Sequence, residues 1–566
     1  MQVFVADSLT KVFAEPEGGE RPLRMPPLRM SAARNERESG QIVVVAEGPE
    51  LYGVRLTVFD LESVEGKGRI PAQCISVNPV GYVETLQPGY EVDRTGWWPD
   101  PLMPLKPAQI QAGRRQPFWI TVHVPELGPP GLCRGSIIVS AEGTRDVEVP
   151  LELRVWDFAL APVPRCASAI SINPRHLARF YNELPLSEET LRNYWEMLFS
   201  HRLSSDDVGD AFEQGMDAVI AGGAKPPFDY TALGRRLSYC FDRGLTVFKA
   251  ATLPGFLGDG PDLTEEEQDR IVTYLRDLAA WLRQQGWLEQ ACVPVWDEPE
   301  DQCAPQVLKQ LQLIHLADAR LRTRLDGPVT GPLVDLCESE VDVWATHMRR
   351  MAEGEDQARE NVARRRAEGD SIWLYIACDT QHPYPNVFID YPLIDCRIFP
   401  WLAWKYHADC LAYWTATGFG ERNFQGDSPL EKWPNRPWVS ANFVETWDGR
   451  QTPYNGDGHL IYPGPDGTAL PSVRLEALRD GMEDWEYLTL LEEGAEALKL
   501  ADVEPELVTE AHTWLEQQRI VRSFTEWCHN PDELLARRNE LAELLERVCR
   551  AASPVGESGA HAVRQG

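Results

Sequence analysis

The 566-residue chain has no apolar run approaching the roughly 20 residues that a membrane-spanning helix needs. It is also short of positive charge: 55 Lys and Arg stand against 87 Asp and Glu, a formal net charge of −32. Nucleic-acid affinity rests on cationic contacts to phosphate, and docking on anionic lipid does too, so both partner classes are excluded. The 12 cysteines are scattered with no C-x-x-C pair, which predicts reduced thiols in place of a disulfide framework. The opening MQVFVADSLTKVF has no basic stretch followed by an apolar one, so a cytoplasmic location is expected. No H-E-x-x-H, G-x-x-x-x-G-K-[ST], G-x-S-x-G or post-strand G-x-G-x-x-G is present. Zinc-protease, P-loop, α/β-hydrolase and dinucleotide readings therefore lack their residues, and neither a metal nor a cofactor is called for.

What is abundant is aromatic. Nineteen Trp, 16 Tyr and 18 Phe make up 9% of the chain. Such residues serve core packing, or flat walls on which sugars stack; their position has to decide. Residues 1–160 carry short β patterns at 41–46, 53–59, 117–124, 135–141 and 146–155, broken by Gly and Pro, which predict a β-sandwich. A proline-containing linker, 157–165, follows.

Over 166–490 apolar β runs alternate with amphipathic helical stretches such as 188–200, 265–285 and 304–318. Strands are predicted at 167–172, 203–208 (the weakest pattern), 245–251, 291–296, 323–328, 341–346, 371–377 and 410–415. Eight such alternations fit a (β/α)8 TIM-type barrel. An open doubly wound sheet is the alternative, but it would normally carry a phosphate-binding glycine turn. Helical spacing at 485–500, 504–524 and 532–551 predicts a helical appendage over 491–552, and the small polar stretch 553–566 a disordered tail.

In a barrel the carboxyl ends of the strands form the active face. Trp296, Asp297, Glu298 and Pro299 stand at the end of the fourth predicted strand. Their bland reading is a helix start with Pro at its first position. Their chemical reading starts from adjacency. Neighbours on a strand point to opposite faces, so both carboxyls reach a cleft only if the strand end bends. Even then they sit side by side, whereas ordinary glycosidases set two carboxyls about 5–9.5 Å apart across the scissile bond. A side-by-side pair suits one acid that protonates the leaving oxygen and one carboxylate that orients a nucleophile belonging to the substrate, as a 2-acetamido group provides. To act near neutrality, Glu298 would need a pKa raised by partial burial and by Asp297.

Tyr375 and Asp379 end the seventh predicted strand, followed by His382, Tyr384 and Asn386; Tyr413 and Trp414 end the eighth. Each type can stack on a sugar or bond its hydroxyls. A glycine-rich loop, 455–464, comes next, and then an amphipathic helix at 472–487 whose charges are expected to be solvated or paired.

The combination resembles glycoside hydrolase family 123 and the broad group around it, catalogued as a domain of unknown function. The resemblance rests on 33–39 (ARNERES), 96–102 (GWWPDPL), 296–299 (WDEP), 382–386 (HPYPN) with Asp390, and 472–476 (SVRLE) through 479–481 (RDG). It implies an amino-terminal β-sandwich, a (β/α)8 catalytic domain and retaining β-N-acetylgalactosaminidase chemistry. Carried to the matching pair, Glu298 becomes the acid/base and Asp297 orients the acetamido group. Two readings compete: double displacement with Asp379 as nucleophile, and a catalytically inactive carbohydrate-binding protein. Sugar, linkage and homo-oligomerisation are left open, and the Trp97–Asp100 stretch points to a contribution from the first domain to the cleft.

Overall fold

A computed structural model describes the chain except residues 17–19, 184, 209–215, 217, 224–225, 254–262, 328–329, 419–441, 448–449 and 557–566. The amino-terminal part is rich in sheet. Five strands, in the order Gln2–Asp7, Arg37–Val45, Arg115–His123, Ile75–Thr85 and Gly96–Leu102, form one sheet. A second is built on Leu28–Arg34, Val147–Ala159, Gly131–Ser140, Leu51–Val58 and Ala108–Ile110. Ile42, Val44, Phe118 and Ile120 of the first sheet share a core with Ile137, Val149, Leu151 and Leu153 of the second. The predicted linker begins inside a strand, because Val147–Ala159 continues past residue 157.

The central part holds seven parallel strands, ordered Ala167–Ile170, Cys410–Tyr413, Ser371–Ile376, Val343–His347, Arg322–Gly327, Ala291–Pro294 and Phe248–Lys249. Consecutive strands pair, with Phe248–Lys249 at one edge and Ala167–Ile170 at the other, so the sheet is nearly closed. The predicted second strand, 203–208, is not a strand here. It nevertheless spans the gap: Ile170 N–H donates to Ser204 O at 3.0 Å and Lys249 N–H to Asp206 O at 2.8 Å. Its weak pattern has a physical cause, since Ser204, Ser205 and Asp206 are buried polar residues where an apolar alternation would be expected. No helix among the described residues is long and apolar enough to cross a membrane, and all twelve cysteines are free thiols.

Helix Val473–Leu500 joins the parts. It runs through residue 490, where the sequence suggested a domain boundary, so barrel and carboxy-terminal helices are not separated there. Helices Pro505–Gln517 and Pro531–Gly556 follow, and the expected tail lies outside the described residues from 557 onward. The first turns of Val473–Leu500 are buried on every side, between the first sheet, helix Leu393–Lys405 and helix Pro531–Gly556. Its charges are therefore not solvated but paired in the interior. Arg397 holds Asp484 through two bonds of 2.6 and 2.8 Å, Arg538 reaches the same carboxylate at 2.7 Å, and Trp401 Nε1–H at 3.0 Å. Arg479 bonds Glu476 and Asp480 at 2.5 and 2.6 Å, and Arg474 bonds Asp100 of the first sheet bidentately at 2.9 Å.

Removing one member of such a network strands a buried charge, which costs more than the pair contributes. Asp484→Leu is expected to lower the unfolding free energy by about 3–5 kcal/mol, read by guanidinium denaturation. Asp484→Asn, which keeps an acceptor oxygen for these donors, should lose less.

Candidate active site

Strand Ala291–Pro294 is buried throughout, and beyond it the chain bends at Asp297 and Glu298. Glu298 adopts a left-handed φ of 47°, which an L-residue with a long side chain reaches only under strain. Its N–H is tied to Asp326 O on the neighbouring strand at 3.2 Å. Gly327 leaves room for this turn, since a Cβ there would lie 3.1 Å from the Glu298 Cα. The bend breaks the regular alternation of neighbouring side chains: Asp297 lines a cavity and Glu298 bonds Tyr375 of its wall. The alternative reading as a helix start at Pro299 does not hold, because the next helical turn begins only at Asp301.

A cavity of about 210 Å³ opens at this end of the sheet, lined by Asp297, Tyr375, Tyr413, Trp414 and Trp373. Its floor is polar: Ser171, Asp206, Lys249, Arg324 and Asp326. Arg324 binds Asp326 through two bonds of 2.8 and 2.9 Å and Asp206 at 3.1 Å. Ser171 Oγ–H donates to Asp206 at 2.6 Å. Burial works against ionisation of Asp206, but Lys249 and Arg324 hold it below the usual carboxylate range. Asp297 differs. No described group donates a hydrogen bond to it. Desolvation in the cleft, then the charges of Asp326 and Glu298, push it up to about 7. A raised carboxyl at Asp297 was not anticipated from the sequence.

Glu298 is half-buried and oriented from two sides. Tyr375 Oη–H donates to its Oε1 at 2.5 Å, and Arg350 Nη2 lies 3.3 Å from its Oε2. The ring of His347 packs edge-on against Tyr375, centroids 5.0 Å apart. Asp379, the alternative nucleophile, pairs with His347 Nε2 at 2.9 Å and does not line the cavity. Burial opposes its charge, but the bond and charge of His347, with Arg349 beyond, keep Asp379 below its ordinary pKa.

Of the remaining expected contacts, Tyr413 and Trp414 form the wall, both donating to Asp457, at 2.9 and 3.1 Å. The others face elsewhere. Trp296 is buried in the central core. His382 stacks on Tyr391 at 3.8 Å and bonds Asp395 at 2.8 Å. Asn386 is buried and clamps its own loop through Ala377 O and Thr380 O, at 2.9 and 2.6 Å. Tyr384 packs at the edge of the central core. Loop curvature after strand Ser371–Ile376 turns these three away from the cavity.

The first domain supplies none of the cavity-lining residues. The stretch containing Trp97 and Asp100 is a strand, with Asp100 committed to Arg474 and to Tyr462 Oη–H at 2.5 Å. It acts from behind instead: Tyr90 Oη–H donates to Asp390 at 2.9 Å, and Leu86 and Asn455 exchange bonds of 3.0 and 2.8 Å, bracing the loops that carry Asp390 and Asp457.

The floor residues escaped the sequence reading. Their signal was present in Arg322–Gly327, where Arg324 and Asp326 alternate with Thr323 and Leu325, so both charges fall on one face of the strand.

Two family models match the chain: the glycoside hydrolase 123 catalytic domain over residues 261–491 and the glycoside hydrolase 123 N-terminal domain over 20–141. Among solved structures, a family 123 glycoside hydrolase from Clostridium perfringens, studied for glycolipid glycan hydrolysis, superposes with a TM-score of 0.66 at 14% identity, covering 98% of this chain and 99% of that one. A family 39 glycoside hydrolase from Bacteroides cellulosilyticus WH2 gives 0.35 at 11% identity, covering 81% of each chain, too loose a likeness to carry an argument. No curated protein matches in sequence. Both family models lie in order on the chain, and the Clostridium fold matches almost end to end: the chain belongs to glycoside hydrolase family 123 and is a glycosidase.

Proposed function

We propose that the protein hydrolyses β-linked 2-acetamido sugars, N-acetylgalactosamine foremost, by a retaining, substrate-assisted mechanism in a closed (β/α)8 barrel whose second stave is 203–208. One observation carries this reading. Arg324 engages Asp206 and Asp326, and His347 engages Asp379, whereas Asp297 lines the cavity with no donor among the described residues and Glu298 is bonded to the cavity wall through Tyr375. With no further carboxylate among the described residues that line the cavity, the nucleophile is best supplied by the substrate.

Glu298 gives its proton to the glycosidic oxygen as the bond from C1 to that oxygen breaks, and the acetamido carbonyl oxygen bonds to C1 from the other face. Asp297 accepts the amide N–H and stabilises the positive charge of the resulting oxazolinium ion. Water then attacks C1 as the bond from C1 to the acetamido oxygen breaks and the acetamido group re-forms; Glu298 takes the water's proton, Asp297 is left as carboxylate, and the configuration is retained. In the free enzyme Asp297 keeps its proton up to about pH 7; the incoming amide N–H favours Asp297 as carboxylate and passes that proton to Glu298.

Aryl β-glycosides with and without the 2-acetamido group test the reading, with turnover expected only for the former. A thiazoline mimic of the cyclised intermediate should inhibit strongly, whereas labelling of Asp379 by a 2-fluoro glycoside would establish double displacement instead. Glu298→Gln should lose about 10²–10⁴-fold in kcat/KM on poor leaving groups and far less on activated aryl ones. Asp297→Asn should lose about 10²–10³-fold on both.

The pH dependence has a definite sign. Acid catalysis needs a proton on the pair, and Asp297 gives up its proton at about 7, so kcat/KM for a poor leaving group should fall as pH rises through that value. Asp326 contributes to holding Asp297 up. Asp326→Asn should therefore move the descending limb to lower pH; an unmoved limb would show that Asp297 is not the group it reports.

A further inference from the structure

A second concave site lies on the outside of the sheet. It is a groove of about 690 Å³ between helix Thr231–Phe241 and the end of helix Glu265–Gln285, within the size range of ligand clefts. At strand Phe248–Lys249 the two sites are back to back: Phe248 meets Phe241 of the helix layer, centroids 6.0 Å apart, whereas Lys249 lines the cavity.

Its lining is aromatic and half-buried. Tyr230 stacks on Trp281 at 4.8 Å and 28°, and Trp281 meets Trp287 at 5.8 Å and 73°. Gly234 stands within helix Thr231–Phe241, where glycine is costly. A Cβ there would come 3.3 Å from the Trp281 ring, so the glycine keeps the groove open against the indole. Neither indole N–H has a partner among the described residues. The rim is selective in its charges as well. Arg236 and Arg243 are paired with Glu188 and Glu196. Arg192 and Arg235, which line the groove, form no salt bridge among the described residues, although the charge of Arg235 acts on Asp229 of the same lining, and Arg192 lies over the Tyr239 ring at 4.8 Å.

We infer that this groove is a second carbohydrate-binding site, holding pyranose units of an oligosaccharide away from the catalytic cavity. A sugar offers an apolar ring face and a rim of hydroxyls, and the groove offers the complement: ring planes with unpaired indole N–H and guanidinium donors at their edges. A glycosidase meets such chains as its substrates, and a site separated from the cavity by the sheet would hold the glycan without competing for turnover. The inference rests on family membership and does not depend on the acetamido mechanism.

The probe is the trisaccharide β-N-acetylgalactosaminyl-lactose, titrated calorimetrically into full-length Glu298→Gln protein, which slows its cleavage. The groove should contribute one binding event that disappears when Ser238→Arg is added. Ser238 is an exposed lining residue, so a large side chain there fills the groove without entering the core. Trp281→Ala should remove the same event, with the unfolding temperature checked for both variants. If the cavity reading fails while the groove reading holds, one event remains in Glu298→Gln and both substitutions abolish it. Absence of binding, or titrations that both substitutions leave unchanged, overturns the inference. So does sedimentation showing that Ser238→Arg dissociates an oligomer, since the groove would then be an interface between copies.

Discussion

The buried ion network of helix Val473–Leu500 is the constraint on which the rest depends. A helix whose first turns are buried on all sides but carry Arg474, Glu476, Arg479, Asp480, Glu483 and Asp484 cannot exist alone in an apolar interior. Its partners come from three separate parts of the chain: Asp100 from the first sheet, Arg397 from the neighbouring barrel helix and Arg538 from the last helix. Sheet, barrel and appendage are thereby obliged to assemble together. The network also reaches the cavity. Arg474 donates to Val387 O and Gly456 O at 2.6 and 3.0 Å, fixing the loops after the last two strands. The second of these loops carries Asp457, which holds both Tyr413 and Trp414 in the cavity wall.

Within the cavity the same rule of pairing produces selectivity among carboxyls. Arg324 engages two of them, and Lys249 reinforces one. Asp297, without a donor, is the one whose protonation is left to its neighbours. A single cation placed between acidic residues thus separates those that build the floor from the one available to a ligand, and the raised titration of Asp297 follows from where Arg324 is spent.

Much of this organisation was legible in the sequence. The strands at 291–296, 323–328, 341–346, 371–377 and 410–415 carry β-branched and aromatic apolar residues and coincide with observed strands. The segment 203–208 was faint because its inward side chains serve the polar floor. Strands such as Ile75–Thr85 and Gly96–Leu102 were missed, as prolines and glycines interrupt their pattern. At the site, Asp297, Tyr375, Tyr413 and Trp414 occur at strand ends and line the cavity, with Glu298 bonded to its wall through Tyr375. His382 and Asn386 have the same composition and nearly the same position, yet they serve their own loop. Residue type and strand number locate a face of the molecule, but only the path of the loop decides which side chains turn into it.

The strain at Glu298 links fold to chemistry. Two carboxyls adjacent in sequence alternate sides on a regular strand, and a chemistry that needs both on one side requires the strand to break. The break appears as a left-handed φ at a residue that disfavours it, held by the Asp326 carbonyl and accommodated by Gly327. A glycine at Glu298 would relax the backbone but remove the carboxyl, so under the proposed mechanism the strain cannot be relieved without losing the acid. The space therefore had to be made on the neighbouring strand: Gly327 follows Asp326, whose carbonyl anchors the Glu298 N–H and whose carboxylate raises Asp297. One dipeptide thus sets both the turn at Glu298 and the proton affinity of Asp297.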